Sequence, residues 1–327
     1  MKKIVLFIFL VFAFQVSFSA LRTFNGNINN NWGVATNWTP AFIPTINDDV
    51  RIPSGFSVSS STVNVLCNNI TISGSLSMNS LSDATITGDV LGAGSLTLDL
   101  GSVVRLGGDY LNTGILTLSD NSNFDYNGAS GQRVKAASYW GLSTSGAGVK
   151  SITGFNSIDL SRFQLNIGSG TTLLLHANNG TLIKNITCSG SILNGGALFL
   201  RSSSTSFLIN LFAESGFNGL GTFDMADGAT KQHQLFLSGG VSFGGTLISN
   251  AGSIIHYTGS GNQSVFASPN YNQLIINGSG TKTAQGPITC SGFKLNAGTF
   301  SLGTQANATA GNYNFLCLSL IHISEPT

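Results

Sequence analysis

The chain of 327 residues carries 14 Lys and Arg against 13 Asp and Glu, so only 8% of it is charged, where a soluble domain usually reaches about 25%. Basic residues are neither in excess nor clustered, which argues against a nucleic-acid partner, because phosphate binding needs grouped Lys and Arg. The 41 Gly, with abundant Ser, Thr and Asn, point away from helical enzymes and towards short strands joined by many turns.

Residues 1–19 read as an export signal: Lys2 and Lys3, an apolar run from Ile4 to Val16, then the small residues Ser17, Ser19 and Ala20 around a cleavage point. The run is shorter than the ~20 residues of a membrane span. A secreted or cell-surface protein with no transmembrane segment is expected. Residues 20–53 read as an N-terminal cap, since a stack of coils otherwise exposes unpaired backbone and bare core at its open end. Trp32 and Trp38 are expected inside that cap, and Asp48 and Asp49 to bond nearby backbone.

From 54 to 155 the same residue classes return every 20 positions: Gly74, Gly94, Gly114; Leu76, Leu96, Leu116; Ala84, Val104, Phe124; Ile86, Leu106, Tyr126. A unit this short, with three strands of period two, cannot bury its apolar face alone and must stack on its neighbours. One turn per unit, each strand pairing in parallel with its counterpart, gives an all-β, right-handed parallel β-helix (β-solenoid). Glycines at the corners are expected to supply positive φ.

A second solenoid block, 156–317, has looser units, with Gly196, Gly221 and Gly245 spaced by 25 and 24 residues. A longer repeat overlies both blocks. Phe124, Tyr126, Gly128, Gln132, Val134, Leu142, Gly148 and Lys150 are echoed by Ile255, Tyr257, Gly259, Gln263, Val265, Leu274, Gly280 and Lys282. Cys188 and Cys290 are expected inside, several coils apart and beyond disulfide reach of one another. Residues 318–327 resemble a translated sequencing adapter and are expected to lie outside the fold, with the natural protein continuing past Cys317.

No Gly-x-Ser-x-Gly elbow occurs, and His176, His233 and His256 have no local partners to orient a base. His256 is expected to be a solvated strand residue. Asp89 and Asp109, one unit apart, should stack on one outer strip; with no Lys or Arg strip beside them, solvation is expected in place of catalysis or cation binding. No catalytic residue, metal ligand or cofactor is assigned. Tyr139, Trp140 and Tyr271 fall in stretches that interrupt the rungs, where binding usually sits. They are the candidate contacts for a glycan or other extracellular surface polymer.

The order Trp32, Asn37-Trp38-Thr39-Pro40, Ile43-Pro44, Asp48-Asp49-Val50, Ile52-Pro53, Gly55, followed by short Gly-bounded strands, resembles the N-terminal region of large secreted repeat proteins of the Bacteroidota. Those proteins are described as adhesin-like or as cargo of type IX secretion. The block from Tyr126 through Gly128, Gln132, Val134 and Leu142 to Lys150 is similar to modules of the same proteins. The resemblance implies a C-terminal sorting domain, absent here as expected of a truncated fragment. The function expected is a non-catalytic structural or adhesin-like surface protein. Its competitors are a carbohydrate-active enzyme of the polysaccharide lyase type, which needs acids clustered with Arg or Lys, and a glycan-binding module.

Overall fold

The computed structural model describes residues 19–60, 64–155, 157–178, 183–203, 207–228 and 231–302, and the backbone of the strands Phe315–Cys317 and Leu320–Ile323. The expected export signal lies almost wholly outside them. Among the described residues the one helical element is a 3-10 turn at Ala35–Asn37, and no helix is long and apolar enough to cross a membrane. Successive coils pair strand on strand in parallel, giving sheets up to nine strands deep along the axis. The chain is a parallel β-solenoid.

Its register follows the 20-residue period. Val58, Leu76, Leu96 and Leu116 are successive Cα partners, so they form one inward column with a rise of about 4.8 Å per coil. A second column begins Val65, Ala84, Val104, Phe124, Leu142, Leu165. Within these columns the apolar side chains are buried against their neighbours, except Leu116, which ends its sheet and is only partly buried. Burial of each Leu is worth about 1.5–3 kcal/mol, and that gain exists only when neighbouring coils are in place.

The repeated glycines have a different cause from the one expected. Gly74, Gly94 and Gly114 do not lie at positive φ. A Cβ on Gly94 would stand 2.0 Å from the carbonyl oxygen of Gly74, and one on Gly114 2.0 Å from that of Gly94. The coils touch backbone to backbone at this corner. Left-handed backbone occurs at another corner, where Leu81, Gly101 and Asn121 follow each other at 20-residue steps with φ of 61°, 69° and 57°.

At the N-terminus, Leu21–Phe24 pairs antiparallel with Trp38–Thr39 and parallel with Asp49–Ile52. Trp32 and Trp38 are buried and meet edge to face at 4.7 Å, with Trp38 Nε1 donating to the Trp32 carbonyl at 2.8 Å. Asp48 accepts from the Thr45 amide and hydroxyl, both at 2.8 Å, as its place in a turn predicts.

Cys67, Cys188 and Cys290 are buried. Five strand steps of one sheet separate Cys188 from Cys290, about 24 Å at ~4.8 Å per step, so the two are not joined. Cys290 has Cys317 as its Cα partner on the following strand. The backbone of Leu320–Ile323 also pairs in parallel with Ile288–Leu295, a pairing not expected of a segment outside the fold.

Candidate functional site

The longer repeat builds the same polar arrangement twice. In the first copy, Tyr126 and Tyr139 hydroxyls lie 3.1 Å apart. Tyr139 donates to the Lys135 carbonyl at 2.7 Å, and the Lys135 amide donates to the Tyr126 oxygen at 3.0 Å. In the second copy Tyr257 and Tyr271 stand 3.4 Å apart, Tyr271 donates to the Phe266 carbonyl, and the Phe266 amide donates to Tyr257. Each set closes a small ring of hydrogen bonds around a break in the ladder. Burial pushes all four phenol pKa values up.

Each copy also holds a buried lysine that pairs with no carboxylate among the described residues. Lys150 Nζ donates to the carbonyls of Gly128, Ser130 and Ala147 at 2.7, 2.9 and 2.9 Å. Lys282 repeats this with Gly259, Gly261 and Ser279. Both are fully buried, and desolvation holds both below the usual lysine range, partly countered at Lys150 by Asp125. Three oriented carbonyl dipoles replace the ammonium's water shell.

Two of the three candidate glycan contacts are therefore core residues. Tyr139 is 0% exposed and Tyr271 2%; their rings face the interior, so stacking on a sugar is not open to them. Sequence alone placed them in irregular stretches but did not show that each hydroxyl had a tyrosine partner in its own copy. Trp140, next to Tyr139, is half-buried and stands on a cleft of about 440 Å³ between residues 114–118 on one side and 135–140 with Arg162 on the other. Its indole Nε1 is buried without a hydrogen-bond partner.

The stacked acids serve the backbone. Asp49 Oδ1 accepts from the Asn69 amide, Asn69 Oδ1 from the Asp89 amide, Asp89 Oδ1 from the Asp109 amide, and Asp109 Oδ1 from the Arg133 amide, at 3.1, 2.8, 2.7 and 2.7 Å. Neighbouring glycines make room: a Cβ on Gly88 would meet Asn69 Oδ1 at 2.2 Å, and one on Gly108 would meet Asp89 Oδ1 at 2.3 Å. The ladder closes a corner where regular pairing has stopped.

One compact group of acids and bases does form, around residues 201–233. Arg201 pairs with Asp224 at 2.5 Å. Asp227 Oδ2 accepts from Ser202 Oγ, His233 Nε2 and Lys231 Nζ at 3.0, 3.0 and 3.1 Å, and from the Ser202 amide. Burial would raise the Asp227 carboxyl, but the bonds from His233, Lys231 and Ser202 hold it below its ordinary value. His233 is fully buried, and its Nδ1 accepts from the Ile209 amide at 3.0 Å, so the ring proton sits on Nε2 and faces Asp227. The nitrogen a general base would use is already taken.

His256 departs from the solvated residue expected. It occupies an outward column, but its ring lies 4.4 Å from that of Phe236 at an interplanar angle of 5°, and Phe236 stacks at 4.6 Å on Phe212. Gln234 and Asn277 bond its two nitrogens. Burial pushes its pKa down to about 4. The spacings 212, 236 and 256 break the 20-residue period, which hid the ladder. Its rings lie face on face along the axis, so their edges, not their faces, are presented for stacking.

A family model described as a domain of unknown function, DUF8693, matches residues 23–131, the cap and the first coils. No curated protein and no solved structure matches the chain.

Proposed function

We propose that this protein is a non-catalytic β-solenoid of the secreted or cell-surface kind, structural or adhesin-like, with an extracellular surface polymer as its partner class. The observation that carries this reading is the group around Asp227. It is the place among the described residues where acids and bases converge as polysaccharide-cleaving chemistry requires. Yet Oδ2 of Asp227 already accepts from four donors, and His233 Nδ1 is held by a backbone amide. The group spends its hydrogen bonds on pinning the loop before His233. Lys150, Lys282 and the corner acids hold backbone in the same way.

The test is to express the full chain with its leader in a Gram-negative host, fractionate the cells, and assay the purified protein on a panel of polysaccharides. The reading expects protein that exogenous protease reaches on intact cells or in the medium, and no new reducing ends or unsaturated sugars. Sugar release abolished by Asp227→Asn would move the protein to the enzyme class. Retention inside intact cells would remove the surface assignment.

A further inference from the structure

Each copy of the polar module interrupts the sheet that precedes it. Leu116–Leu118 is the terminal strand of its four-stranded sheet. Backwards, it is fully engaged: Leu96 donates to the Ile115 carbonyl at 2.9 Å and the Ser119 amide donates to Leu98 at 2.8 Å. Alternation in a parallel ladder then aims the N–H and C=O of Leu116 and Leu118 at the next coil, where no strand among the described residues receives them. Residues 135–140 occupy that level: the Lys135 ammonium reaches back to the carbonyls of Asn112 and Gly114, both at 2.9 Å, short of Leu116, while the backbone of Tyr139 turns the other way. The Tyr139 amide donates to Asp159, and its carbonyl accepts from Arg162, both at 3.0 Å. The cleft of about 440 Å³ lies between, within the ~300–1,000 Å³ range of ligand clefts. The break recurs 130 residues on. Thr246–Ile248 ends its six-stranded sheet, with the Ile248 carbonyl bonded backwards to Met225 and Leu247 aimed forwards.

We propose that the free edge of Leu116–Leu118 is a strand-addition site, which takes an extended segment of a second polypeptide in place of the missing rung. The chemistry selects a peptide. Donors and acceptors on Leu116 and Leu118 repeat at two-residue steps, about 6.6 Å, and another strand matches that alternation with its own main chain. A sugar chain carries no such fixed alternation. Leu116, Leu118 and Trp140 in the walls favour a segment with apolar side chains at alternate positions. Lys135 and Arg162 line the same cleft, with Asp159 the acid beside them at 3.7 Å from Arg162, so the surplus charge is positive and the segment carries an acid. This site stands independently of whether the protein is exported or adhesive.

Amide exchange measured by NMR on the full chain tests it. The probe is the peptide Gly-Ser-Leu-Thr-Leu-Asp, the sequence of residues 94–99, which pairs with Leu116–Leu118 on its other side. A control peptide is N-methylated at its threonine, whose N–H would meet the Leu116 carbonyl. In the free protein the Leu116 and Leu118 amides should exchange at least tenfold faster than those of Leu96 and Leu98. Millimolar parent peptide should slow both by roughly tenfold, the methylated peptide should not, and Trp140→Ala should weaken the effect. Slow exchange at Leu116 in the free protein would show the edge to be closed. Equal action of both peptides, no slowing by the parent peptide, or slowing by cello- or xylo-oligosaccharides in its place would each overturn the proposal.

Discussion

Gln132 and Lys150 are Cα partners on neighbouring coils and hold the backbone of one residue, Gly128, on both sides of its Cα. The Gly128 amide donates to Gln132 Oε1 at 2.8 Å, while the Gly128 carbonyl accepts from Lys150 Nζ at 2.7 Å. Gln263 and Lys282 treat Gly259 alike. Loss of the ammonium removes the donor from three inward carbonyls at Lys282 and from two at Lys150, where the Gly128 carbonyl keeps the Ala147 amide at 3.1 Å, at about 1–3 kcal/mol for each unsatisfied group, less what is regained by no longer burying a charge. Lys150→Met and Lys282→Met are each expected to lower unfolding stability by about 2–4 kcal/mol in denaturant titrations. The sites share no partners, so the double variant should add to within ~0.5 kcal/mol. A loss below 1 kcal/mol in both would show that water takes the ammonium's place.

Three glycine substitutions separate crowding from backbone strain. Gly94→Ala puts a methyl 2.0 Å from a backbone oxygen of the coil below and is expected to cost about 2–3 kcal/mol. Gly55 has open space around it but φ of +86°, so Gly55→Ala should cost about 1–2 kcal/mol. Gly240 has neither constraint, and Gly240→Ala should fall within about 0.5 kcal/mol of the native chain. Thermal unfolding of the three variants checks the order; a Gly94→Ala variant as stable as Gly240→Ala would mean that the coils are further apart than described.

The solenoid was legible because its core residues stack on their own copies: Leu76 rests under Leu96 and Leu96 under Leu116, so register in space reproduces period in sequence. The same logic revealed the longer repeat but not its meaning. Tyr126 and Tyr139 share a bond inside one copy, at a separation that no periodic pattern marks. The charged group from Arg201 to His233 was invisible for a related reason, since it joins a strand to a loop that has no counterpart in other coils. Gly88 and Gly108 each clear space for a side-chain oxygen of the preceding coil, a constraint set by a neighbour about 20 residues away, which no local pattern displays.

Leu81 is a leucine in left-handed backbone, at φ of 61°, with 81% of its surface exposed. That backbone costs a leucine about 1–2 kcal/mol, and a side chain so exposed returns little by burial. Two units on, Asn121 solves the same corner at φ of 57° with a residue that tolerates the region better. Leu81→Asn is therefore expected to raise stability by about 0.5–1 kcal/mol in equilibrium unfolding, leaving far-ultraviolet circular dichroism unchanged. A destabilised variant would show that Leu81 makes a contact that offsets its backbone.

His256 sets a pH dependence whose sign follows from its bonds. Asn277 Nδ2 lies 3.1 Å from Nδ1 and Gln234 Oε1 2.9 Å from Nε2, so the ring is neutral, accepting from the asparagine and donating to the glutamine. Burial lowers its pKa from 6.5 to about 4. As pH falls below 6.5 the unfolded chain binds a proton that the folded ring refuses, so stability declines down to about pH 4 and levels off below it, by a total on the order of 3 kcal/mol. His256→Phe keeps a flat ring on Phe236 and removes the titration. Its denaturation midpoint should change less than the native one between pH 7 and pH 4, with a residual slope from His233, which burial also lowers against the opposing bond to Asp227. The NMR titration of His256 gives the direct measurement, and an inflection near 6.5 would mean that the ring is solvated and that the stack with Phe236 does not persist in solution.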